Sequence, residues 1–173
     1  MPDATGLELI AQRVRDELGD DAVVGTSHFR EQATLEVAPK RVRDVLAHLK
    51  SHPEEPFEFL STVYGCDYLP EEPRLGVHYQ LLSMTRVDRL AVKTRVGVDD
   101  PHVPSVVDLW PGANFPEREA YDMFGVIFDG HPDMRRILMP EDYEGYPQRR
   151  DFPQGGEPVI FTFNEDSLPR WYD

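Results

Sequence analysis

Apolar residues recur along the first hundred positions in two rhythms, one of three to four residues and one of two, each interrupted by glycine or proline. Leu7, Ile10, Val14 and Leu18 share one stripe of a helix that stops at Gly19, and Thr5 with Glu8 has capping-box spacing at its start. The segments 22–27 and 33–38 are short, rich in Val, Thr and Leu and separated by polar residues, which predicts a β-hairpin. Pro39 then opens a second helix. Its Val42, Val45, Leu46 and Leu49 lie on one face while Lys40, Arg41, Arg43, His48 and Lys50 lie outward, until Pro53 ends it.

Three strand-like runs follow at 57–64, 75–84 and 89–98, the last alternating Leu90, Val92, Thr94 and Val96 with Ala91, Lys93 and Arg95. The connection from Thr85 to Asp88 is short enough for an antiparallel hairpin, so the expected class is α+β, a mostly antiparallel sheet flanked by helices. Residues 104–110 suggest another helical turn or two. Asn114 and Glu117 repeat the capping-box spacing with Pro116 in the first turn, and a third helix is expected to run to Phe124 before Gly125. Beyond it, prolines at 132, 140, 147, 153, 158 and 169 exclude a long helix or a central strand. The division predicted is an α+β domain over 1–125 and a long, extended, irregular C-terminal tail over 126–173.

That tail carries Tyr143, Tyr146, Phe152, Phe161, Phe163, Trp171 and Tyr172, more aromatic residues than a disordered segment holds. Interleaved with arginines, they are the residue types that anchor interfaces, and the expectation is a tail laid on a partner. The alternative is that it folds back over its own sheet.

Composition narrows the functions. The 173 residues include 18 Lys and Arg against 32 Asp and Glu, and the net charge of -14 disfavours nucleic acid and anionic lipid as partners. The one cysteine, Cys66, forms no internal disulfide and falls short of the four thiolates an iron-sulfur cluster takes. No GxGxxG or GxxxxGK string offers a seat to NADH or ATP, and no cofactor is expected in this chain. The N-terminus lacks a basic start followed by an apolar run, and no segment approaches the roughly 20 apolar residues of a membrane-spanning helix. A cytosolic protein is expected, reaching a membrane only through other proteins.

The remaining candidates lie late in the chain. Glu117, Arg118, Glu119 and Asp122 place charge on one short helix, with Arg118 four residues before Asp122: a solvated face if exposed, a strong anchor if desolvated. His131, Asp133, Glu141 and Asp142 are ligand types for a divalent metal, with poor spacing, and Asp133 is alternatively a turn cap beside outward Arg135 and Arg136. The pairs Arg135–Arg136 and Arg149–Arg150 could clamp acidic patches on a neighbour or pair locally with Glu141, Asp142 or Asp151. Tyr121 and Phe124 are read as core residues.

From Glu117 to Pro153 the sequence EREAYDMFGVIFDGHPDMRRILMPEDYEGYPQRRDFP resembles the signature of the complex I subunit called C in bacteria and thirty-kilodalton in mitochondria. The positions that carry the likeness are Glu117, Arg118, Glu119, Asp122, Met123, Phe124, His131, Arg135, Ile137 and Leu138. The resemblance implies a structural, cofactor-free subunit of the hydrophilic arm of a proton-translocating NADH:quinone oxidoreductase, peripheral on the cytoplasmic face of the bacterial inner membrane. It implies a seat beside the hydrogenase-like quinone-site subunit and the cluster-bearing subunits, with FMN and iron-sulfur clusters held by partners. Glu117, Arg118, Glu119, Asp122, Phe124, His131, Arg135, Arg136, Arg149 and Arg150 are then the expected interface. Competing readings are the equivalent subunit of a membrane-bound hydrogenase or related reductase, a stand-alone metal-dependent hydrolase using the His131 set, and an unrelated scaffold.

Overall fold

The computed structural model describes residues 2–153; Phe161, Phe163, Trp171, Tyr172 and the rest of the tail expected beyond Pro153 lie outside the described residues. Helix α1 runs Ala4–Leu18 and buries Leu7, Ile10 and Val14 of the expected stripe together with Ala11, while Leu18 packs partly buried against the core. Its cap, however, is Asp3, whose carboxylate accepts the Gly6 amide at 2.7 Å. The Thr5–Glu8 capping box does not form, and Glu8 instead accepts the Thr26 hydroxyl. An aspartate outside the helix satisfies an N-terminal amide without distorting the first turn, so Thr5 is left inside.

Strands β1 (Val23–Phe29) and β2 (Gln32–Val37) form the expected hairpin. Its two turn residues, Arg30 and Glu31, both take positive φ (48° and 65°), the pairing that matches the strand twist. Helix α2 (Val42–Ser51) follows a 3-10 turn at Pro39–Arg41 and buries Val42, Val45, Leu46 and Leu49. Strands β3 (Phe59–Asp67), β4 (Leu75–Ser83) and β5 (Asp88–Val96) then make an antiparallel meander. The five strands lie in the order β1-β2-β5-β4-β3, joined across the middle by parallel pairing of β2 with β5.

One sheet face is apolar because the registers align Leu35, Val92 and Tyr79, and likewise Leu90 with Leu81 and Val96 with Leu75, beneath α1 and α2. The other face is polar: Lys93 pairs with Glu36 at 2.9 Å, and Tyr64 stacks on His78 at 4.9 Å. Burial pushes His78 down to about 4, with Lys93 adding to the effect, so its ring is neutral near pH 7.

Of the helical turn or two expected over 104–110 one hydrogen-bonded turn forms, in which the Leu109 and Trp110 amides both donate to the Val106 carbonyl, at 3.0 and 2.9 Å. Strand β6 (His102–Pro104) pairs in parallel with β7 (Ile127–Asp129), and the chain then turns into a 3-10 turn at Pro111–Ala113. Helix α3 (Asn114–Phe124) closes at Gly125, which sits in the left-handed region at φ 77°. Asn114 makes no cap there; it is the first helical residue, and Glu117 points inward. Helix α3 lies on β3, where Phe124 passes so close to Gly65 that a Cβ would come within 2.4 Å of the ring.

Candidate functional site

Helix α3 offers two working faces, set by helical spacing. Glu117, Ala120, Met123 and Phe124 turn to the core, while Phe115, Arg118 and Asp122 follow one another along the flank at i, i+3 and i+7.

Glu117 is fully buried. Its Oε1 accepts the Val106 amide at 2.8 Å and its Oε2 accepts the Ser105 hydroxyl at 2.7 Å, so it ties the β6-to-α3 connection to the helix. Burial pushes its carboxyl up to about 7, against the opposing effect of those two donors.

Asp122 is equally buried and behaves oppositely. Its Oδ1 accepts Arg136 Nη1 at 2.7 Å, and its Oδ2 accepts the amides of Ile137, Leu138 and Met139 at 3.0, 2.7 and 2.9 Å. Desolvation works against the charge, but these donors outweigh it and hold the carboxyl below the usual range. Arg118 completes the hold by donating to the carbonyls of Arg135 and Arg136 at 3.0 and 3.1 Å. The segment 135–139, which has no regular secondary structure, is thus gripped through both its amides and its carbonyls. An irregular backbone can pack only if its polar groups are satisfied in this way. The pair expected between Arg118 and Asp122 does not form, because each spends its charge on that segment.

The other signature residues extend the same scaffold. His131 Nδ1 accepts the Asp133 amide at 3.0 Å while Nε2 faces the Asn114 carbonyl at 3.2 Å, which requires the Nε2–H tautomer of a neutral ring. Arg135 makes a bidentate pair with Asp133 at 2.7 and 2.8 Å and stays exposed. Arg136, expected to project outward, turns in to Asp122 and lies over Tyr143 and Tyr146. Glu119 is exposed. Arg149 donates to the Phe124 carbonyl at 2.7 Å and stacks 4.4 Å above Tyr146; burial lowers its pKa. Phe124 is core, and Tyr121 packs edge-on against Tyr146.

Residues 149–152 are clasped by a pair outside the signature. Asp67 and Arg74, both nearly buried, pair at 2.8 and 2.6 Å; Arg74 also takes Asp151 at 2.7 and 2.6 Å, and Asp67 accepts the Arg150 amide at 2.7 Å. The Arg74 guanidinium first, with the amides of Arg150 and Leu69, holds Asp67 far below the usual carboxylate range. Asp151 thus pairs with Arg74, not with the neighbouring arginines. Up to Pro153 the chain lies on its own domain. Sequence reasoning missed Asp67, Arg74 and Ser105; the one local clue was an acid closing one strand and a base opening the next.

The set His131, Asp133, Glu141 and Asp142 is not gathered into a metal site. Among the described residues, the three-residue group with ligand atoms close together is Glu17, His48 and His52. What α3 and its gripped segment do present is apolar: Phe115 and Leu138 are 63% and 60% exposed and Ile137 37%, along the flank where Arg118 lies 5.8 Å from the Phe115 ring. Large apolar side chains held out by a rigid, satisfied backbone have the character of a protein-docking surface. No helix among the described residues is long and apolar enough to cross a membrane.

Residues 35–158 match the model of the family described as the respiratory-chain NADH dehydrogenase 30 Kd subunit. A curated relative, the C subunit of the NADH-quinone oxidoreductase of Roseiflexus sp. (strain RS-1), is 48% identical over 159 residues, 92% of this chain and 91% of its own. A solved trypsin-resistant fragment (1–134) of Nqo5 superposes with a TM-score of 0.60 at 34% identity, covering 72% of this chain and 98% of the fragment. A chain of the membrane-bound sulfane sulfur reductase, an archaeal respiratory membrane complex, superposes with a TM-score of 0.69 at 27% identity, covering 86% of each chain.

Proposed function

Because the chain belongs to the family of the respiratory-chain NADH dehydrogenase 30 Kd subunit, we propose that it works as a rigid docking subunit with no redox centre of its own. It is a subunit of an NADH-quinone oxidoreductase, a complex I-type assembly. Within that assembly the finer reading is a seat on the hydrogenase-like quinone-site subunit, on the cytoplasmic face of the membrane. There it supports electron flow from NADH through the partners' FMN and iron-sulfur clusters to quinone.

The observation that carries this reading is how the signature charges are spent. Asp122, Arg118 and Arg136 are consumed inside the chain in fixing segment 135–139, and that leaves Phe115, Ile137 and Leu138 exposed beside Glu119 and Arg135. Such a surface docks by apolar burial, at about 25 cal/mol per Å² of apolar area, with the exposed charges steering its rim. The interface expected from the sequence therefore divides into two jobs. Glu117, Arg118, Asp122, Phe124, His131, Arg136 and Arg149 shape the surface, Glu119 and Arg135 border it, and Arg150 is held apart from it by Asp67 and the Leu69 carbonyl.

The test is co-purification of the tagged chain from solubilised membranes, beside a form carrying Phe115→Asp and Leu138→Asp. The expected result is recovery of cluster-bearing and quinone-site subunits with the native chain and their loss with the double substitution, while the melting temperature of the isolated chain is unchanged. Full recovery with the altered surface refutes the docking role of that flank. The second reading, an equivalent subunit of a different respiratory membrane complex, draws on the 27% identical reductase chain. Recovery of partners that lack NADH-oxidising activity would favour it.

A further inference from the structure

On the side of the molecule built from α1 and α2, the structure assigns Glu17, His48 and His52 as a site for a zinc-class divalent metal ion that ties the two helices together. These residues are unconnected with the signature. His48 and His52 stand four apart, in the last turn and at the C-cap of α2, and Glu17 stands in the last turn of α1. Their ligand atoms all lie within 4.8 Å of one another. The His48 Nδ1 to Glu17 Oε2 separation is 3.2 Å. Two ligands of a tetrahedral zinc, each about 2.0–2.2 Å from the ion, lie roughly 3.4 Å apart, so this pair stands at coordination spacing with little movement.

In the same recess Glu55 is taken up by both Arg13 and Arg86, so the carboxylate left to face a cation is Glu17. His48 and His52 lie where the negative end of α2 favours positive charge. Two imidazoles and one carboxylate select a borderline transition ion over magnesium or calcium, which take all-oxygen shells. Glu17 is 59% exposed, which leaves the fourth position to water.

Binding has a specific structural consequence. His52 Nδ1 accepts the Glu54 and Glu55 amides at 3.3 and 3.1 Å, so the ring proton sits on Nε2. A metal on Nε2 moves that proton to Nδ1, and a metal on Nδ1 takes the lone pair directly; either way both contacts are given up. Metal binding therefore staples α1 to α2 while releasing the 53–55 turn.

The experiment is calorimetric titration of the chelator-treated full chain with zinc chloride, with amide exchange followed by NMR. One equivalent should bind in the micromolar range, and melting should rise by about 5 °C at a hundredfold excess over Kd. His48→Gln, His52→Gln and Glu17→Gln should each weaken binding by more than about tenfold, whereas His28→Gln on β1 should not. Exchange at Glu54 and Glu55 should quicken on binding. A dissociation constant above about 100 µM, or binding unaltered by His48→Gln, overturns the assignment. Melting of each variant without metal separates a lost ligand from a lost fold.

Discussion

Glu117→Gln should make the stability of the chain rise with pH over the mildly acidic range, where that of the native protein is nearly flat. Folding raises the Glu117 carboxyl from 4.5 to about 7, through burial. A raised folded pKa means stability that is fully present below about pH 4.5 and is lost as pH rises to about 7. Over that 2.5-unit span, at 1.36 kcal/mol per unit, the loss approaches roughly 3 kcal/mol. His78 acts oppositely: lowered from 6.5 to about 4, it gives stability that is present above pH 6.5 and lost as pH falls toward 4. In the native chain the two slopes nearly cancel between pH 4.5 and 6.5. Glutamine keeps the acceptor for Val106 and mimics the neutral acid, so it removes the Glu117 slope and exposes that of His78. Urea unfolding at fixed salt should show the variant gaining about 2 kcal/mol relative to native between about pH 5.5 and 8. Asp67 and Asp122 do not interfere, because their lowered values release stability only as pH falls below the ordinary carboxylate range. Parallel curves for the two proteins across this window would refute the placement of Glu117 as a buried acid.

Asp122→Ala strips the acceptor from Arg136 and three amides, and should cost about 3–5 kcal/mol in urea unfolding, with rapid amide exchange at 137–139. Arg74→Ala, which leaves the 2% exposed Asp67 unpaired, should cost a similar amount, whereas Asp151→Asn at a 54% exposed carboxylate should cost less than about 1 kcal/mol and chiefly quicken proteolysis near residue 150. Gly65→Ala drives a Cβ against the Phe124 ring and should lower stability by about 1–3 kcal/mol, read as a lowered melting temperature; no loss would mean that α3 can shift freely on β3. Truncation after Gly125 should unfold α3 as well as abolish assembly, since Asp122 and the Phe124 carbonyl lose their partners from 136–139 and Arg149.

Much of the architecture was legible from one-dimensional pattern. The stripes Leu7–Val14 and Val42–Leu49, the alternation Leu90–Val96 and the stop at Gly125 each follow from which side chains must leave water, and local periodicity records that choice directly. The signature from Glu117 to Pro153 likewise identified the family. Pattern did not reveal the destinations of polar groups. Thr5 and Asn114 have the same spacing to a following Glu whether or not a cap forms, and only the presence of Asp3 and of the Val106 amide sent Glu8 and Glu117 elsewhere. The parallel contact of β2 with β5 was equally invisible, because it joins residues more than fifty positions apart. What the sequence determined, then, was the three helices, the strands of the five-stranded sheet and the family, since these rest on neighbours along the chain, whereas the short β6–β7 pair was not legible there. Only the tertiary structure decided that Glu117, Asp122 and Arg136 of the signature face inward while Glu119 and Arg135 stay exposed. Whether a carboxylate is a surface ion or a buried anchor depends on the donors that distant backbone brings to it, and spacing carries no record of those.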